Sequence, residues 1–274
     1  MAAKLYLVGT PIGNLEDLSP RAVRILSEVD FIAAEDTRVT LRLCNHFGIK
    51  KPLISYYAHN LRERGEQIAA RIEEGESCAV VTDAGMPCIS DPGEELVALC
   101  AERGIPIETA PGPSAAVSAL AVSGLPAGRF TFEGFLAQKR SARLTRLREL
   151  AAERRTMIFY EAPHRLLSTL EDMLEVLGDR RAAVVKELTK IHESVLRAPL
   201  SQAAAYFRET PPRGEYVVVL EGAPEAERAR PPLEEAVRQV RARAESGEPL
   251  SQAARAVAAE TGYRKNELYA LASR

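Results

Sequence analysis

Short apolar runs alternate with longer segments of helical periodicity through the first 123 residues. The runs have the length of buried strands, and the segments between them repeat apolar residues every three or four positions. Strands are predicted at 4–8, 31–34, 53–55, 78–82 and 105–109, with helices near 20–28, 38–46, 61–73, 93–102 and 114–123. This alternation predicts a parallel sheet of the α/β class.

The pattern changes after SGLPAGR at 123–129, where glycine and proline are concentrated. Further strands are predicted near 129–133, 156–160, 182–187, 192–197 and 215–220, with some antiparallel pairing. Helices are then predicted near 232–245, 250–260 and 265–272, the last two joined as in a helix-turn-helix unit. We therefore expect two α/β domains, 1–123 and 124–222, followed by a small helical segment, 231–274.

Composition and charge narrow the possible functions. Of the 274 residues, 46% are apolar and the formal net charge is −2, which argues against a protein that coats nucleic acid through bulk positive charge. The four cysteines and four histidines are scattered, so buried free thiols and no metal site are expected. The N-terminal MAAKLYLVG lacks the features of a signal peptide, and no apolar run is long enough to cross a membrane. A cytoplasmic location is expected.

Five loops rich in glycine, proline or charge follow predicted strands. They are GTPIGN (9–14), AEDTR (34–38), TDAGMPCISDPG (82–93), APGPSA (110–115) and YEAPHR (160–165). Each loop leaves the carboxyl end of its strand, which is the edge where open parallel sheets bind ligands. The loops therefore predict one pocket formed by turns that are distant in sequence.

Each loop also has a purely structural interpretation. GTPIGN lacks the G-x-G-x-x-G spacing of dinucleotide sites and could simply shape a turn. Asp91 and Pro92 are interpreted as the cap and first residue of a helix, and Ser114 as the cap of the next one. Asp83 is interpreted differently. It stands at a strand tip beside Gly85, where a carboxylate can receive a ligand amine or hydroxyl.

Seven motifs occur along the chain in a recognisable order: LYLVGTPIGNLEDLS, AAEDTR, TDAGMPCISDPG, PGPSA, FYEAPHR, KELTKIHE and RGEYVVVLEG. Together they resemble the ribosomal RNA small subunit methyltransferase I family, the 2'-O-cytidine methyltransferases. This family has the tetrapyrrole methylase fold, in which two α/β domains bind S-adenosyl-L-methionine (AdoMet) in the cleft between them. GTPIGN in place of GAGPGD, together with AEDTR and APHR, favours the RNA branch over the tetrapyrrole enzymes.

The resemblance implies an AdoMet-dependent enzyme that methylates a cytidine ribose in the decoding centre of 16S rRNA, within the small ribosomal subunit. It also implies a homodimer. The residues expected to contact the cofactor are Gly9, Pro11, Asp83, Gly85, Met86, Ser114, Ala115, Tyr160, Glu161, Ala162, Leu188 and Gly214.

A ribose hydroxyl is a poor nucleophile near neutral pH, so a base or a cation should lie beside it. The candidate catalytic residues are Glu35, Asp36, Arg38, Lys186 and Glu187, with Lys190 as an alternative cation and His192 nearby in sequence. Glu35 is the preferred base, although nothing in the sequence selects it, and Lys186–Glu187 could equally be an ion pair at a strand end. The segment 139–155, with seven basic and two acidic residues, is either an RNA contact or a solvated helix face.

Two other functions remain compatible with these residues. The first keeps the chemistry and changes the acceptor to a tetrapyrrole such as a precorrin, or to another small molecule. Labelled AdoMet offered with small subunits or with a precorrin separates the two acceptors. The second is a ribosome-associated binding protein without catalysis, which would bind AdoMet and transfer no methyl group.

Overall fold

The computed structural model describes residues 3–57, 61–224 and 231–273. The described residues up to Gly222 form one compact unit, and those from Ala223 onward form a second. The first unit contains two five-stranded sheets. Within the described residues, no helix combines the length and the apolar character needed to cross a membrane.

The first sheet is parallel, with helices between its strands. Its strands are β1 (Leu5–Val8), β2 (Phe31–Ala34), β3 (Leu53–Ser55), β4 (Cys78–Val81) and β5 (Ile107–Ala110). Its helices are α1 (Pro20–Glu28), α2 (Thr37–His46), α3 (Leu61–Glu73), α4 (Glu94–Glu102) and α5 (Ala115–Ser123). The strand order is β3-β2-β4-β1-β5, and every neighbouring pair is parallel. The predicted parallel α/β fold is confirmed.

Alternate residues of β4 explain why the central strands read as continuous apolar runs. Cys78 and Val80 pack into one core with α3 and α4, whereas Ala79 and Val81 pack into another with α1 and α2. A strand covered by helices on both faces has no solvent face to carry polar residues. The carboxyl ends of the strands are therefore the part of this sheet where a functional site can lie.

The second sheet is mixed. Its strands are β6 (Phe130–Phe135), β7 (Thr156–Glu161), β8 (Arg181–Lys186), β9 (Ser194–Pro199) and β10 (Tyr216–Leu220). Its helices are α6 (Arg140–Glu149), α7 (Pro163–Leu177) and α8 (Leu200–Glu209). The order is β6-β7-β10-β8-β9, in which β6 and β7 are parallel and the other pairs are antiparallel. The antiparallel pairing predicted for this region is confirmed.

Helix α5 links the two sheets. It follows β5 of the first sheet, yet Ala116, Ala119 and Leu120 pack with Ile158 and Val219 of the second sheet. The two sheets therefore share α5 as a core element. The predicted domain boundary at 123/124 stays a prediction, because the compact unit does not divide there.

The second unit consists of three helices, α9 (Leu233–Glu245), α10 (Leu250–Thr261) and α11 (Lys265–Ala272). It has a small core of its own, to which Val240, Val257 and Leu268 contribute. Gly262 ends α10 in a left-handed conformation with φ of 74°. Glycine adopts this conformation readily, so the chain can turn sharply into α11.

Candidate active site

A cavity of about 380 Å³ lies at the carboxyl edge of the first sheet, within the range of roughly 300–1,000 Å³ typical of small-molecule sites. The loops after β1, β4, β5 and β7 line it, together with the adjoining ends of β8 and β10. Eight of the residues predicted to hold the cofactor are in this lining: Gly85, Met86, Ser114, Ala115, Tyr160, Glu161, Ala162 and Leu188. The structure thus brings four sequence-distant loops to one place.

Gly9, Pro11, Asp83 and Gly214 lie outside the lining. Gly9 packs behind it, where a Cβ atom would stand 2.7 Å from the backbone of Gly112. Met86 Sδ accepts a hydrogen bond from the Gly112 amide at 3.3 Å. Glycine therefore allows the loops GTPIGN and APGPSA to approach each other closely. The loop after β4, which carries Met86, packs on both of them.

A short backbone pairing joins the loop after β1 to the loop after β4. The amide of Thr10 donates to the Gly85 carbonyl at 2.9 Å, and the Gly85 amide donates back at 3.2 Å. The Thr10 hydroxyl also donates to the Thr82 carbonyl at 3.1 Å. Gly85 has φ of 85°, a conformation that other residues adopt only with strain. These bonds hold the loop after β4 against the cavity.

Tyr160 connects the second sheet to the start of α5. Its hydroxyl accepts a hydrogen bond from the Ala116 amide at 3.2 Å. Ser114 is the N-cap residue of α5, as predicted, but its side chain makes no capping hydrogen bond. Ser114 lines the cavity instead, beside a helix end that carries partial positive charge.

The carboxylate of Glu161 is engaged inside the protein. It accepts hydrogen bonds from the Ala162 amide at 2.9 Å and the Thr169 hydroxyl at 2.5 Å, and it lies 3.4 Å from the Arg165 guanidinium. Arg165 in turn donates to the carbonyl of Leu136 at 2.7 Å. Glu161 is buried, so it shapes the cavity wall through this network and presents no open carboxylate to a ligand.

The AEDTR loop adds no residue to the lining. Asp36 caps α2 by accepting from the Arg38 amide at 2.8 Å, and its carboxylate forms an ion pair with the Arg38 guanidinium at 2.6 Å. Hydrogen bonds from Arg38 lower the pKa of Asp36 to about 2. Glu35 accepts from the Asp83 amide at 3.4 Å, and burial raises the pKa of both Glu35 and Asp83.

Lys190 is the ion-pair partner of Glu187. Its ammonium lies 2.9 Å from Glu187 and 3.0 Å from Glu215, two acids that line the cavity. The hydrogen bond from Lys190 lowers the pKa of Glu187. A Cβ atom at Gly214 would stand 2.6 Å from the Glu187 carboxylate, so glycine gives that side chain its space. Lys186 ends β8 and lies outside the lining.

Asp91 is a cavity residue that the sequence interpretation missed. The prediction that it caps a helix is wrong, because α4 begins at Glu94 and its cap position is Gly93, with φ of 138°. Among the described residues, the Asp91 carboxylate takes part in no hydrogen bond or ion pair. Burial, followed by repulsion from Glu35 and Asp83, raises the pKa of Asp91 to about 6.

Several basic residues of segment 139–155 have intramolecular partners. Arg143 is buried and pairs with Asp172 at 2.7 Å, and Arg140 pairs with the same carboxylate at 2.8 Å. Arg146 lies 2.8 Å from Glu133. These contacts give the three arginines a structural role in joining α6 to its neighbours.

Family models and curated relatives match most of this chain. Residues 4–204 match the family model of tetrapyrrole (corrin/porphyrin) methylases, and residues 231–274 match that of the RsmI C-terminal HTH domain. A Synechocystis protein named ribosomal RNA small subunit methyltransferase I is 48% identical over 268 residues, which cover 97% of this chain and 96% of that protein. A Thermotoga maritima protein of the same name is 49% identical over 219 residues, covering 80% and 98%.

The fold also occurs among solved structures. A crystal structure of uroporphyrin-III-C-methyltransferase from Thermus thermophilus matches with a TM-score of 0.56 and 23% identity, covering 79% of this chain and 94% of that one. At this identity the match shows a shared fold.

Proposed function

The chain belongs to the ribosomal RNA small subunit methyltransferase I family, within the tetrapyrrole methylases, and we propose that it methylates the 2'-hydroxyl of a cytidine in the decoding centre of 16S rRNA. It is a methyltransferase of ribosomal RNA. The observation that supports the proposal is a single cavity lined by loops of both sheets. Eight of its lining residues are ones that the family resemblance predicts to hold AdoMet.

The cavity fits AdoMet chemically. Ile12, Met86 and Leu188 give an apolar surface for the adenine ring. The amino end of α5, with Ser114 at its cap, favours a carboxylate such as that of the methionine moiety. Glu187 and Glu215 offer oxygens to hydroxyl or ammonium groups. In this proposal Gly9 contributes through the close approach of its loop to Gly112, and Gly214 through the space it leaves for Glu187. Pro11 and Asp83 remain predicted contacts of the cofactor.

AdoMet supplies an electrophilic methyl group on a positively charged sulfur. The task of the protein is then to align the ribose oxygen with that methyl group and to exclude water. The bond between Tyr160 and Ala116 and the pairing of Thr10 with Gly85 fix the walls, so alignment does not depend on mobile side chains. Lys190 holds two acids of the wall in place.

The loops around the cavity mouth are proposed to meet the RNA. Arg38 is exposed and Lys186 ends a strand beside the cavity, so both supply positive charge toward the phosphate backbone. Asp36 is held ionised by Arg38, which makes it a weak base. Glu35, with its raised pKa, is the better acceptor of the two, although it lies outside the lining.

We further propose that the acceptor is the assembled small ribosomal subunit in the cytoplasm, and that the enzyme works as a homodimer. Folded rRNA presents shape and unstacked bases, so recognition depends on an assembled site. Exposed apolar side chains support dimer formation: Val117 and Phe130 lie on the surface of the first unit, outside the cavity lining.

The decisive experiment offers methyl-labelled AdoMet and the purified protein to three acceptors. They are small subunits from a strain that lacks the protein, naked 16S rRNA from the same strain, and a precorrin. Nuclease digestion and mass spectrometry should find 2'-O-methylcytidine in the subunit sample. Label in the precorrin alone would support the small-molecule methylase, and AdoMet binding without transfer to any acceptor would support the non-catalytic binding protein.

A further inference from the structure

The loop between β4 and α4 brings to the cavity a carboxylate, that of Asp91, which has no partner among the described residues. We propose that Asp91 is the catalytic base, which takes the proton from the ribose hydroxyl as that oxygen is methylated. This assignment rests on the proposed function and names a residue other than Glu35 as the acceptor. It follows from where Asp91 lies, what surrounds it, and how the other acids of the cavity are engaged.

The backbone around Asp91 adopts conformations that the side chains do not favour. Cys88 and Ser90 have φ of 71° and 64°, and Gly93 has φ of 138°. Non-glycine residues in the left-handed region are strained, and such strain is found mostly at functional sites. Here it delays the start of α4 and places Ile89, Ser90 and Asp91 in the cavity lining.

Each of the other acids of the lining has a partner inside the protein. Glu161 is bonded to Ala162, Thr169 and Arg165. Glu187 and Glu215 share the ammonium of Lys190. Among the described residues of the lining, Asp91 is therefore the carboxylate that is free to accept a proton from a ligand.

The groups that face Asp91 are acidic or neutral. Glu35 approaches from the end of β2 and Asp83 from the end of β4, while Cys88 and Tyr160 lie within its electrostatic reach. Arg38 and Arg42 act on Asp83. Burial and these two carboxylates raise the pKa of Asp91 to about 6, close to the working pH that suits a general base.

The proposed step balances without a further reactant. The ribose oxygen forms a bond to the methyl carbon while the bond from that carbon to sulfur breaks, and the sulfur keeps the electron pair. The O–H bond breaks in the same step, and the proton passes to a carboxylate oxygen of Asp91. Since Asp91 is only half-buried, the proton can then leave to solvent.

The test compares Asp91→Asn with Glu94→Gln in the full-length protein. Asparagine keeps the shape of the side chain and removes the base, whereas Glu94 is an exposed acid three residues away and outside the lining. Single-turnover methylation of small subunits should fall by about 10²–10⁴-fold in Asp91→Asn and stay within about twofold in Glu94→Gln. Calorimetry should give both variants an AdoMet Kd within about threefold of wild type.

Two pH measurements complete the test. The wild-type rate should fall about tenfold per pH unit on the acid side of the pKa of Asp91. This acid limb should begin at or below pH 6, because the positive charge of bound AdoMet lowers the pKa of Asp91. Asp91→Asn should lack the limb. In the free protein, carboxyl NMR should show a group that titrates near pH 6 and is missing in Asp91→Asn.

Three results would overturn the assignment. In the first, Asp91→Asn methylates as fast as Glu94→Gln. In the second, Asp91→Asn binds AdoMet at least about tenfold more weakly and recovers its rate at saturating AdoMet, which would make Asp91 a cofactor ligand. In the third, wild type transfers no methyl group to any ribosomal substrate, which removes the proposed function and this assignment with it. The first two leave the proposed function intact.

Discussion

The loops after β2 and after β4 leave the same edge of one sheet, and each contains two acidic residues, but one acid from each loop, Asp36 and Asp91, differ in their surroundings and in the direction of their pKa shifts. In the first loop, Asp36 caps α2 and pairs with Arg38, and its pKa falls to about 2. In the second, Asp91 lines the cavity and has no partner within the part of the chain that the structure describes, and its pKa rises to about 6. The number of acids in a loop therefore indicates less about catalysis than the partners of each acid.

The difference has a source in the sequence. The first loop has Arg38 two residues after Asp36, and α2 begins at once with Thr37. Residues 82–93 contain no lysine or arginine, and α4 does not begin until Glu94. An acid that has neither a nearby cation nor a helix to cap remains free to act on a ligand.

Gly112→Ala is expected to have the largest effect on the second loop. The new Cβ would stand 2.8 Å from the Gly9 backbone, in the contact on which Met86 also packs. We expect the free energy of unfolding to fall by about 1–3 kcal/mol, and AdoMet affinity to fall by roughly tenfold or more. Urea unfolding and calorimetry measure the two quantities.

Gly128→Ala is the matched control for this substitution. A Cβ atom at Gly128 would meet no atom of the described residues within 4 Å, so the stability of this variant should stay within about 0.5 kcal/mol of wild type. If Gly112→Ala behaves like the control, the loops after β1, β4 and β5 do not depend on one another. The contrast between the loop after β4, which neighbouring loops hold in place, and the loop after β2, which has its own Asp36–Arg38 ion pair, would then fail.

The sequence predicts the architecture well because its signals are local. Apolar runs such as 31–34 and 78–82 mark strands buried on both faces, and four of the five predicted loops line the cavity. The same pattern could not show that α5 packs on the second sheet. A helix that is apolar on all sides has no single buried face from which its packing partner can be predicted. It also could not show that Lys190, rather than Lys186, pairs with Glu187.

The position of Asp91 in the cavity lining was not predicted, for a related reason. Asp-Pro before a helical pattern is a good capping sequence, and local preference favours that interpretation. The left-handed residues Cys88 and Ser90 override it, and side-chain chemistry alone does not reveal a positive φ at such residues. GTPIGN was ambiguous in the same way, because the close approach of Gly9 to Gly112 joins positions about a hundred residues apart.

Asp91→Asn should stabilise the protein at neutral pH. The pKa of Asp91 is raised in the folded state, so its ionised form opposes folding above pH 6, and this penalty disappears as the pH falls toward 4. Since the side chain is partly exposed, the gain at pH 7–8 should be on the order of 1 kcal/mol, less than the full shift implies. Urea unfolding at pH 7.5 and pH 4 measures it, and equal stability of the two proteins at both values would contradict the buried, repelled state of Asp91.

Glu35→Gln tests the link between the two loops. After burial, repulsion from Glu35 is the next cause of the raised pKa of Asp91, so its removal should move the acid limb of the methylation rate to lower pH by less than about one unit. The maximal rate should change by less than about tenfold. A loss of about 10²-fold or more, with unchanged AdoMet affinity, would instead identify Glu35 as the base.

Asp36→Asn should have the smallest effect of the series. Asparagine caps a helix as well as aspartate does, so the variant loses only the exposed ion pair with Arg38, and the melting temperature at pH 7 should fall by no more than about 3 °C. The folded-state pKa of Asp36 lies below its unfolded value, so the stabilisation exists above pH 4 and is lost as the pH falls toward 2. The two proteins should therefore unfold alike at pH 2, and the variant should methylate small subunits within about tenfold of the wild-type rate. A rate loss as large as that of Asp91→Asn would show that the catalytic loop is the one after β2, in which Asp36 pairs with Arg38.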